Sequence, residues 1–264
     1  MKVGICLPQF RDDAAPAVAV ARRAEAVGLD GVFAFDHLWP LGQPERPALH
    51  GPTLLAALAA ETRRVVLGTL VARVGLLPDA SLVHALASLH RIAGRGRFVA
   101  ALGTGDGKNR DENRAYGIPF PRAAVRLDSL VRCVRDLKAR GVTTWVGGLS
   151  DETRAVAALE ADAWNGWGLT ADRFAELAAE PRQPAPTWAG QVLLGRDNDE
   201  ARSKFERYGP RPALVHGGPE ALAAHFAALE AAGARWAICA PLDVGIDDAA
   251  PDLIAMAAGA RPVA

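Results

Sequence analysis

The chain lacks the features that mark several large classes of protein. It has only three cysteines, Cys6, Cys133 and Cys239, which are far apart in apolar sequence and indicate neither a disulfide framework nor a CxxC pair. Its 30 basic residues balance 30 acidic ones, so charge gives no reason to expect nucleic acid or an anionic membrane as a partner. No apolar run approaches the ~20 residues that span a bilayer. These absences, with an N-terminus that enters a strand directly, predict a cytoplasmic protein with reduced core thiols.

The common catalytic motifs are also absent. The stretch GTGDGK (103–108) is similar to a nucleotide-binding loop, but Leu102 stands where a Walker loop requires Gly, and Asn109 replaces its Ser or Thr. GxGxxG fails as well, because Lys108 occupies the last glycine position. No GxSxG elbow and no His/Cys cluster suited to a metal is present. The sequence therefore predicts neither a metal centre nor an activated nucleophile.

What the sequence does contain is a repeated pattern of an Ala-rich helical stretch, a glycine and a short β-branched or aromatic run. Strict alternation of strands and helices indicates a parallel sheet, and eight units in about 250 residues is the size of a (β/α)8 TIM barrel. A doubly wound sheet is the alternative, but it usually has fewer strands and a Gly-rich turn after the first. We therefore predict an α/β fold with one barrel domain over residues 1–264. The predicted strands are 3–8, 31–36, 65–71, 98–103, 143–147, 162–166, 188–194 and 236–240.

The run GVFAFDHLWP (31–40) ends an apolar strand in a polar pair, Asp36 and His37. Such a pair is either a cap on the turn or the edge of a reaction site. In a barrel the active site lies at the C-terminal ends of the strands, which places both residues on the catalytic face. Asp106 follows the fourth strand in a Gly-rich turn, where it is either a turn former or an acid.

Other predicted strand ends on the same face offer small and aromatic residues. Gly147 and Gly148 follow the fifth strand, ahead of an N-cap at Ser150, and Asn165 lies between two tryptophans in the sixth. Backbone N–H groups at such a helix start bind phosphate well, although Asp151 and Glu152 oppose this. The face suits a flat, phosphorylated organic cofactor that performs the chemistry itself.

Five blocks in this order are similar to a known family. GLDGVFAFDHLW resembles the second-strand signature of the bacterial luciferase-like superfamily of flavin- and deazaflavin-dependent oxidoreductases. The other blocks are TRRVVLGTLVARVGLLPDASLVHALASLHRIAGRGRFVAALGTGD, NRAYGIPFPRAAVRLDSL, WVGGLSDETRAVAALEADAWNGWG and HGGPEALAAHFAALEAAGARWAI. The GTGD turn and the DH pair are most similar to members that use the deazaflavin coenzyme F420.

The resemblance implies roles for individual residues. His37 would lie beside the redox ring, and Asp106 would exchange a proton with the substrate. Leu70–Val71 would form a non-prolyl cis peptide pressed against the ring. The remaining cofactor-binding residues would be Asp36 and Thr69, then Thr104 and Gly105 along the ring, and Gly147, Gly148, Leu149, Asn165 and Trp167 at the phosphorylated tail. Relatives place basic residues on the distal phosphate, and only Arg73 and Lys108 are candidates for that charge here.

The implied function is hydride transfer between F420 and a small organic substrate. Two alternatives remain open at this point. An FMN-dependent monooxygenase would use the same barrel with reduced flavin and oxygen, and a non-catalytic flavin-binding barrel would keep the motifs without the chemistry. Relatives are often dimers, so a homodimer is a further expectation.

Overall fold

The computed structural model describes residues 1–180 and 184–261, and it has the alternating order of strands and helices that the sequence predicts. The strands are β1 (Lys2–Cys6), β2 (Gly31–Ala34), β3 (Val66–Thr69), β4 (Ala72–Arg73), β5 (Phe98–Gly103), β6 (Thr143–Gly147), β7 (Ala163–Trp167), β8 (Ala185–Leu194), β9 (Val215–Gly217) and β10 (Trp236–Pro241). The helices are α1 (Ala15–Ala26), α2 (Gly51–Glu61), α3 (Asp79–Ala93), α4 (Arg110–Ala115), α5 (Ala123–Ala139), α6 (Asp151–Glu160), α7 (Ala171–Ala178), α8 (Asn198–Tyr208), α9 (Pro219–Ala231) and α10 (Ala250–Ala257). A 3₁₀ turn, Gly107–Asn109, precedes α4.

Eight of these strands close into a parallel barrel. The order runs β1, β2, β3, β5, β6, β7, β8 and β10, and β10 pairs with both β8 and β1 to complete the ring. The predicted (β/α)8 barrel and all eight predicted strands are therefore confirmed. Strand β9 was not predicted; among the described residues it pairs with β8 alone and lies outside the ring. No helix in the described part of the chain is long and apolar enough to cross a membrane.

The third strand is interrupted where the sequence predicted a continuous run over 65–71. Strand β3 ends at Thr69, the Leu70–Val71 peptide bond is cis, and the chain re-forms pairing with β5 only as β4. This cis peptide was implied by the family resemblance. It places Val71 at the C-terminal mouth of the barrel, beside the ends of β5 and β6.

An aromatic cluster packs inside the barrel. Phe33 stacks on Trp145 with ring centroids 5.8 Å apart and meets Trp236 edge-on at 5.6 Å. Glycines on neighbouring strands make room for this ring: a β-carbon at Gly68 would lie 2.3 Å from Phe33, and one at Gly4 would lie 2.8 Å away. Because the interior is packed in this way, a ligand has access only to the mouth.

Candidate functional site at the mouth of the barrel

The adjacent residues Asp36 and His37 have different positions at the end of β2. Asp36 is buried, and its Oδ2 accepts the backbone N–H of Arg73 at 2.8 Å. Burial raises the pKa of the Asp36 carboxyl, although the Arg73 N–H opposes this shift. The Asp36 carboxylate thus connects the interrupted third strand to the end of β2. This contact corresponds to the first interpretation of the Asp36–His37 pair, a cap on the turn.

His37 faces a carboxylate that the sequence analysis did not identify. Its Nδ1 lies 3.1 Å from Glu112 Oε1 and 3.4 Å from Oε2, and about a quarter of its side chain is exposed. Since Nδ1 is engaged with the interior, Nε2 is the ring nitrogen left for a ligand. His37 is therefore the more exposed side chain of the pair, and its catalytic role stays a prediction.

Glu112 is the centre of a buried hydrogen-bond network. Its Oε1 also accepts the N–H of Leu38 at 3.2 Å, and its Oε2 accepts from Arg73 Nη1 at 2.5 Å and from Asn109 Nδ2 at 3.1 Å. The side chain has no exposed surface. Burial alone would raise the pKa of Glu112, but hydrogen bonds and charge from His37 and Arg73 lower it to about 2. Glu112 is therefore ionised at neutral pH.

Arg73 is buried beneath the turn that follows β5. Its side chain is 4% exposed, and a β-carbon at Gly105 would lie 2.6 Å from its Cδ. Only Nη1 is satisfied: Nε and Nη2 have no hydrogen-bond partner within residues 1–180 and 184–261. Arg73 is thus occupied with Glu112, and it does not provide the open phosphate-binding charge considered from the sequence.

Asp106 lies in the turn at the lip of the barrel. Its Oδ1 accepts the N–H of Lys108 at 2.8 Å, and its own N–H donates to Asn109 Oδ1 at 2.8 Å. Asp106 is exposed. Asn109 connects this turn to the buried network through Glu112, so the two candidate proton carriers, His37 and Asp106, belong to one hydrogen-bonded region.

Val71 and two glycines form one wall of the mouth. A β-carbon at Gly103 would lie 2.6 Å from Val71 Cγ2, and one at Gly147 would lie 2.7 Å from Val71 Cγ1. Thr69, predicted to contact the cofactor, is buried with its Oγ1 donating to the Ala101 carbonyl at 2.8 Å. The Val71 methyl groups thus occupy the space that side chains at these two glycines would fill. We call Val71, Gly103 and Gly147 the bulge seat.

Aromatic rings from opposite sides of the barrel, after β2 and at the end of β7, meet at the mouth. Phe35 stacks parallel to Phe10 with centroids 5.9 Å apart, and Trp167 meets Phe35 edge-on at 5.5 Å. Trp167 is 38% exposed, which agrees with a side chain that lies at an opening. Trp167 therefore lies at the mouth, and its contact with the phosphorylated tail stays a prediction.

The other residues predicted at the phosphorylated tail are less available. Asn165 is buried, and its amide donates to Thr187 Oγ1 at 2.9 Å inside the barrel. The Gly148 N–H is directed to the Asn165 carbonyl at 3.3 Å. Leu149 is 45% exposed, and Ser150 already caps α6 by accepting the N–H of Thr153. Of the donors in this segment, the Gly148 and Thr153 N–H groups and the Asn165 amide are thus already bonded within the protein.

A basic cleft beside the turn is the second feature that the sequence analysis missed. The arginine cleft has a volume of about 910 Å³ and contains Arg110, Arg114, Arg122 and Arg126. The Arg126 guanidinium lies 4.2 Å from the Phe120 ring centroid, and its Nε donates to the Thr104 carbonyl at 2.9 Å. Burial, and then the charge of Arg110, lower the pKa of Arg126, while Asp106 opposes this.

The charge of the arginine cleft is not balanced by ion pairs. Within residues 1–180 and 184–261, no carboxylate oxygen lies within 4.0 Å of a guanidinium nitrogen of its four arginines. Other arginines are paired, as Arg135 is with Glu160 and Arg173 with Glu176. The described residues contain no group of three His, Cys, Asp or Glu side chains able to hold a metal. The cleft is therefore suited to an anion.

The fold and the site define a class: a (β/α)8 barrel whose mouth carries the bulge seat and a histidine, with a basic cleft beside the turn after β5. Residues 1–145 match the model of the luciferase-like monooxygenase family, and the chain belongs to that family. This confirms the family resemblance derived from the sequence.

Individual relatives are more distant. The chain is 34% identical over 119 residues to an F420-dependent glucose-6-phosphate dehydrogenase of Kineococcus radiotolerans, covering 45% of this chain and 34% of that protein. It is 31% identical over 112 residues to the enzyme of the same description from Intrasporangium calvum, covering 42% and 34%. The matched segment thus spans about a third of the length of these curated relatives.

Solved structures share the fold over nearly the whole chain. An F420-dependent secondary alcohol dehydrogenase in complex with an F420–acetone adduct has a TM-score of 0.76 at 15% identity and covers 97% of this chain and 98% of that one. The EDTA monooxygenase of a Chelativorans species has a TM-score of 0.78 at 13% identity and covers 99% and 95%. At these identities the likeness concerns the fold alone.

Proposed function

We propose that the protein is an F420-dependent oxidoreductase that transfers a hydride between the deazaflavin and a small organic substrate. The observation that carries the proposal is that the bulge seat and His37 follow the C-terminal ends of neighbouring strands, β3 and β2, so that apolar support for a planar ring and an acid/base group share one mouth. The curated relatives that match part of the chain are described as F420-dependent dehydrogenases, which supports this choice of coenzyme.

In the proposed reaction the bound deazaflavin supplies the hydride chemistry. The chain's own residues position and shield the reactants, which accounts for much of the catalysis in such a site. Val71 would support one face of the ring, and the contact between Phe35 and Trp167 would exclude water from the mouth. His37 holds or accepts the accompanying proton at Nε2, and Asp106 is the second proton carrier at the lip.

We assign the coenzyme's anionic tail to the arginine cleft. The acids Asp151 and Glu152 occupy the first turn of α6 and repel a phosphate. In this assignment Gly147 and Gly148 therefore do not bind the tail; they allow the ring to approach the backbone closely. The unpaired charge of the cleft favours this assignment over the residues around Asn165, whose polar groups are bonded within the barrel.

The arginine cleft assignment gives a specific binding prediction. Replacing Arg114 and Arg122 together by Gln removes two exposed charges, and we expect the dissociation constant of F420 to rise about tenfold at low salt. A deazaflavin without the phosphorylated tail should bind the variant and the unchanged protein equally well. Fluorescence titration measures both, and Arg173→Gln, at an arginine of α7, is the matched control. If the double substitution weakened binding of the tail-less deazaflavin as much as binding of F420, the assignment would be refuted.

The bulge seat gives a steric prediction. Gly103→Ala would place a methyl group against Val71 and force the seat to shift, so we expect the dissociation constants of F420 and of the tail-less deazaflavin to rise about tenfold together. Gly218→Ala is the control, because its nearest neighbouring atom would be 4.0 Å from the new methyl group. Unaltered binding by the Gly103 variant would place the ring elsewhere.

An FMN-dependent monooxygenase is the second candidate. It is favoured by the family description and by the fold shared with an EDTA monooxygenase. Parallel fluorescence titrations with F420 and FMN separate the two, followed by a screen of small alcohols and phosphorylated sugars for reduction of the bound coenzyme. Selective binding of F420 supports the proposal, preference for FMN with oxygen consumption supports the monooxygenase, and binding of neither supports a non-catalytic barrel.

The proposal also includes a cytoplasmic location and a homodimeric assembly. The three cysteines are free and buried in the structure, which agrees with a reducing cytoplasm. A homodimer remains a prediction that light scattering on the purified protein would test.

A further inference from the structure

The structure assigns a positioning role to Glu112: we propose that its carboxylate, held by Arg73, fixes His37 with the proton on Nδ1 so that Nε2 faces the reactants. The proposal rests on the proposed function for the identity of the reaction. Its structural part concerns one ring and one carboxylate, and it holds whichever coenzyme binds.

The donors around Glu112 require a carboxylate. Its two oxygens accept from four groups: His37 Nδ1, the Leu38 N–H, Arg73 Nη1 and Asn109 Nδ2. A glutamine at position 112 would turn an NH₂ group toward two of these donors in either orientation. A neutral imidazole can satisfy an ionised acceptor at Nδ1 only as the tautomer with hydrogen on Nδ1.

The carboxylate is itself held rigidly from below. Arg73 contacts Glu112 through its side chain, while its backbone N–H is bonded to Asp36, the residue immediately before His37. The Leu38 N–H bond fixes the other side of His37. Glu112 therefore sets both the orientation and the tautomer of the ring, as carboxylates do for histidines in catalytic and metal sites.

The consequence concerns proton transfer at Nε2. If the substrate is an alcohol, the coenzyme would take its C–H hydride and the Nε2 lone pair would take its O–H proton, which would leave a carbonyl product and an imidazolium. The Glu112 carboxylate compensates the new positive charge without itself accepting the proton. In the reverse direction the same Nε2–H donates.

The first test measures the tautomer in the protein without coenzyme. Nitrogen-15 correlation spectra of histidine-labelled protein, taken at a pH where the ring is neutral, should give the His37 pattern of a protonated Nδ1 and an unprotonated Nε2. A spectrum with the proton on Nε2, or with both tautomers averaged, would overturn the proposal. Because no coenzyme is needed, this result stands apart from success or failure of the F420 assignment.

The second test is a double-mutant cycle on turnover. Glu112→Gln should lower kcat by about 10- to 100-fold in the unchanged background and have no further effect when His37 is already Asn. If the fold-losses in kcat of the two single variants multiply in the double variant, Glu112 has a merely structural role and the proposal is overturned. If Glu112→Gln does not fold, Arg73→Met with Glu112→Gln removes both charges and takes its place in the cycle. Glu25→Gln is the control. The Glu25 carboxylate accepts the backbone N–H groups of Arg63 and Arg64, which precede β3 and therefore lie at the end of the barrel opposite the mouth.

Discussion

Replacing His37 by Asn is expected to lower F420-dependent turnover by about 10²- to 10⁴-fold, the usual contribution of a general acid or base. Asparagine retains a donor that can reach Glu112, but it has no group that exchanges a proton at the position of Nε2. Coenzyme affinity should stay within about twofold, because the bulge seat and the arginine cleft are unchanged. Steady-state kinetics with the substrate found in the screen, together with F420 titration, measure both quantities.

His50 provides the matched control for this substitution. It lies on the same face, is about half exposed, contacts Thr53 at 2.8 Å, and stands 3.9 Å from Asp36. His50→Asn should leave turnover within about threefold of the unchanged protein, the effect of a surface substitution. Full activity of the His37 variant would remove this histidine from the mechanism and leave Asp106 as the proton carrier.

The second large effect concerns stability and its dependence on pH. Glu112→Gln leaves the Arg73 charge buried without a counter-charge, and we expect the free energy of unfolding at pH 7 to fall by about 3–5 kcal/mol. Urea unfolding followed by circular dichroism measures this. Glu61→Gln, which breaks the exposed pair with Arg22, is the control and should cost at most about 1 kcal/mol.

The pH dependence has a definite sign. The pKa of Glu112 is lowered in the folded protein from 4.5 to about 2, so its stabilising contribution is fully present above about pH 4.5. It is lost as the pH falls from there toward 2, and it amounts to about 3 kcal/mol in total. The Gln variant should therefore show a flatter acid limb than the unchanged protein. Parallel acid limbs in the two proteins would contradict the ion-pair account of Glu112.

Local patterns in the sequence were sufficient for the fold. The run Val32–Phe33–Ala34 is apolar at every position because both faces of a barrel strand are covered, and glycine-punctuated repeats marked the helix ends. The same patterns could not predict β9, whose short run pairs at the edge of β8. The interruption at Leu70–Val71 came from the family resemblance, since nothing in its composition distinguishes it from a continuous strand.

The sequence predicted part of the site. It did not predict Glu112 or the arginine cleft, and both were missed for the same reason. Glu112 lies in the run RDENR, which has the composition of an exposed charged helix, yet it is buried. Arg110, Arg114 and Arg122 belong to the same polar segment and its continuation into α5. Single-sequence patterns give the average environment of such residues, and only the path of the chain around the mouth decides which side chain is covered.

The sequence by itself therefore determined the barrel, its strand order along the chain and the face that carries His37 and Asp106, because periodicity and strand ends are local properties. Tertiary structure alone decided the partners of those residues. It brought Glu112 across 75 positions to His37 and placed Arg73 under Gly105. It also gathered four arginines beside the Asp106 turn, and none of them forms an ion pair within residues 1–180 and 184–261. Burial and charge contacts between distant segments set ionisation and orientation, and these interactions exist only once the barrel has closed.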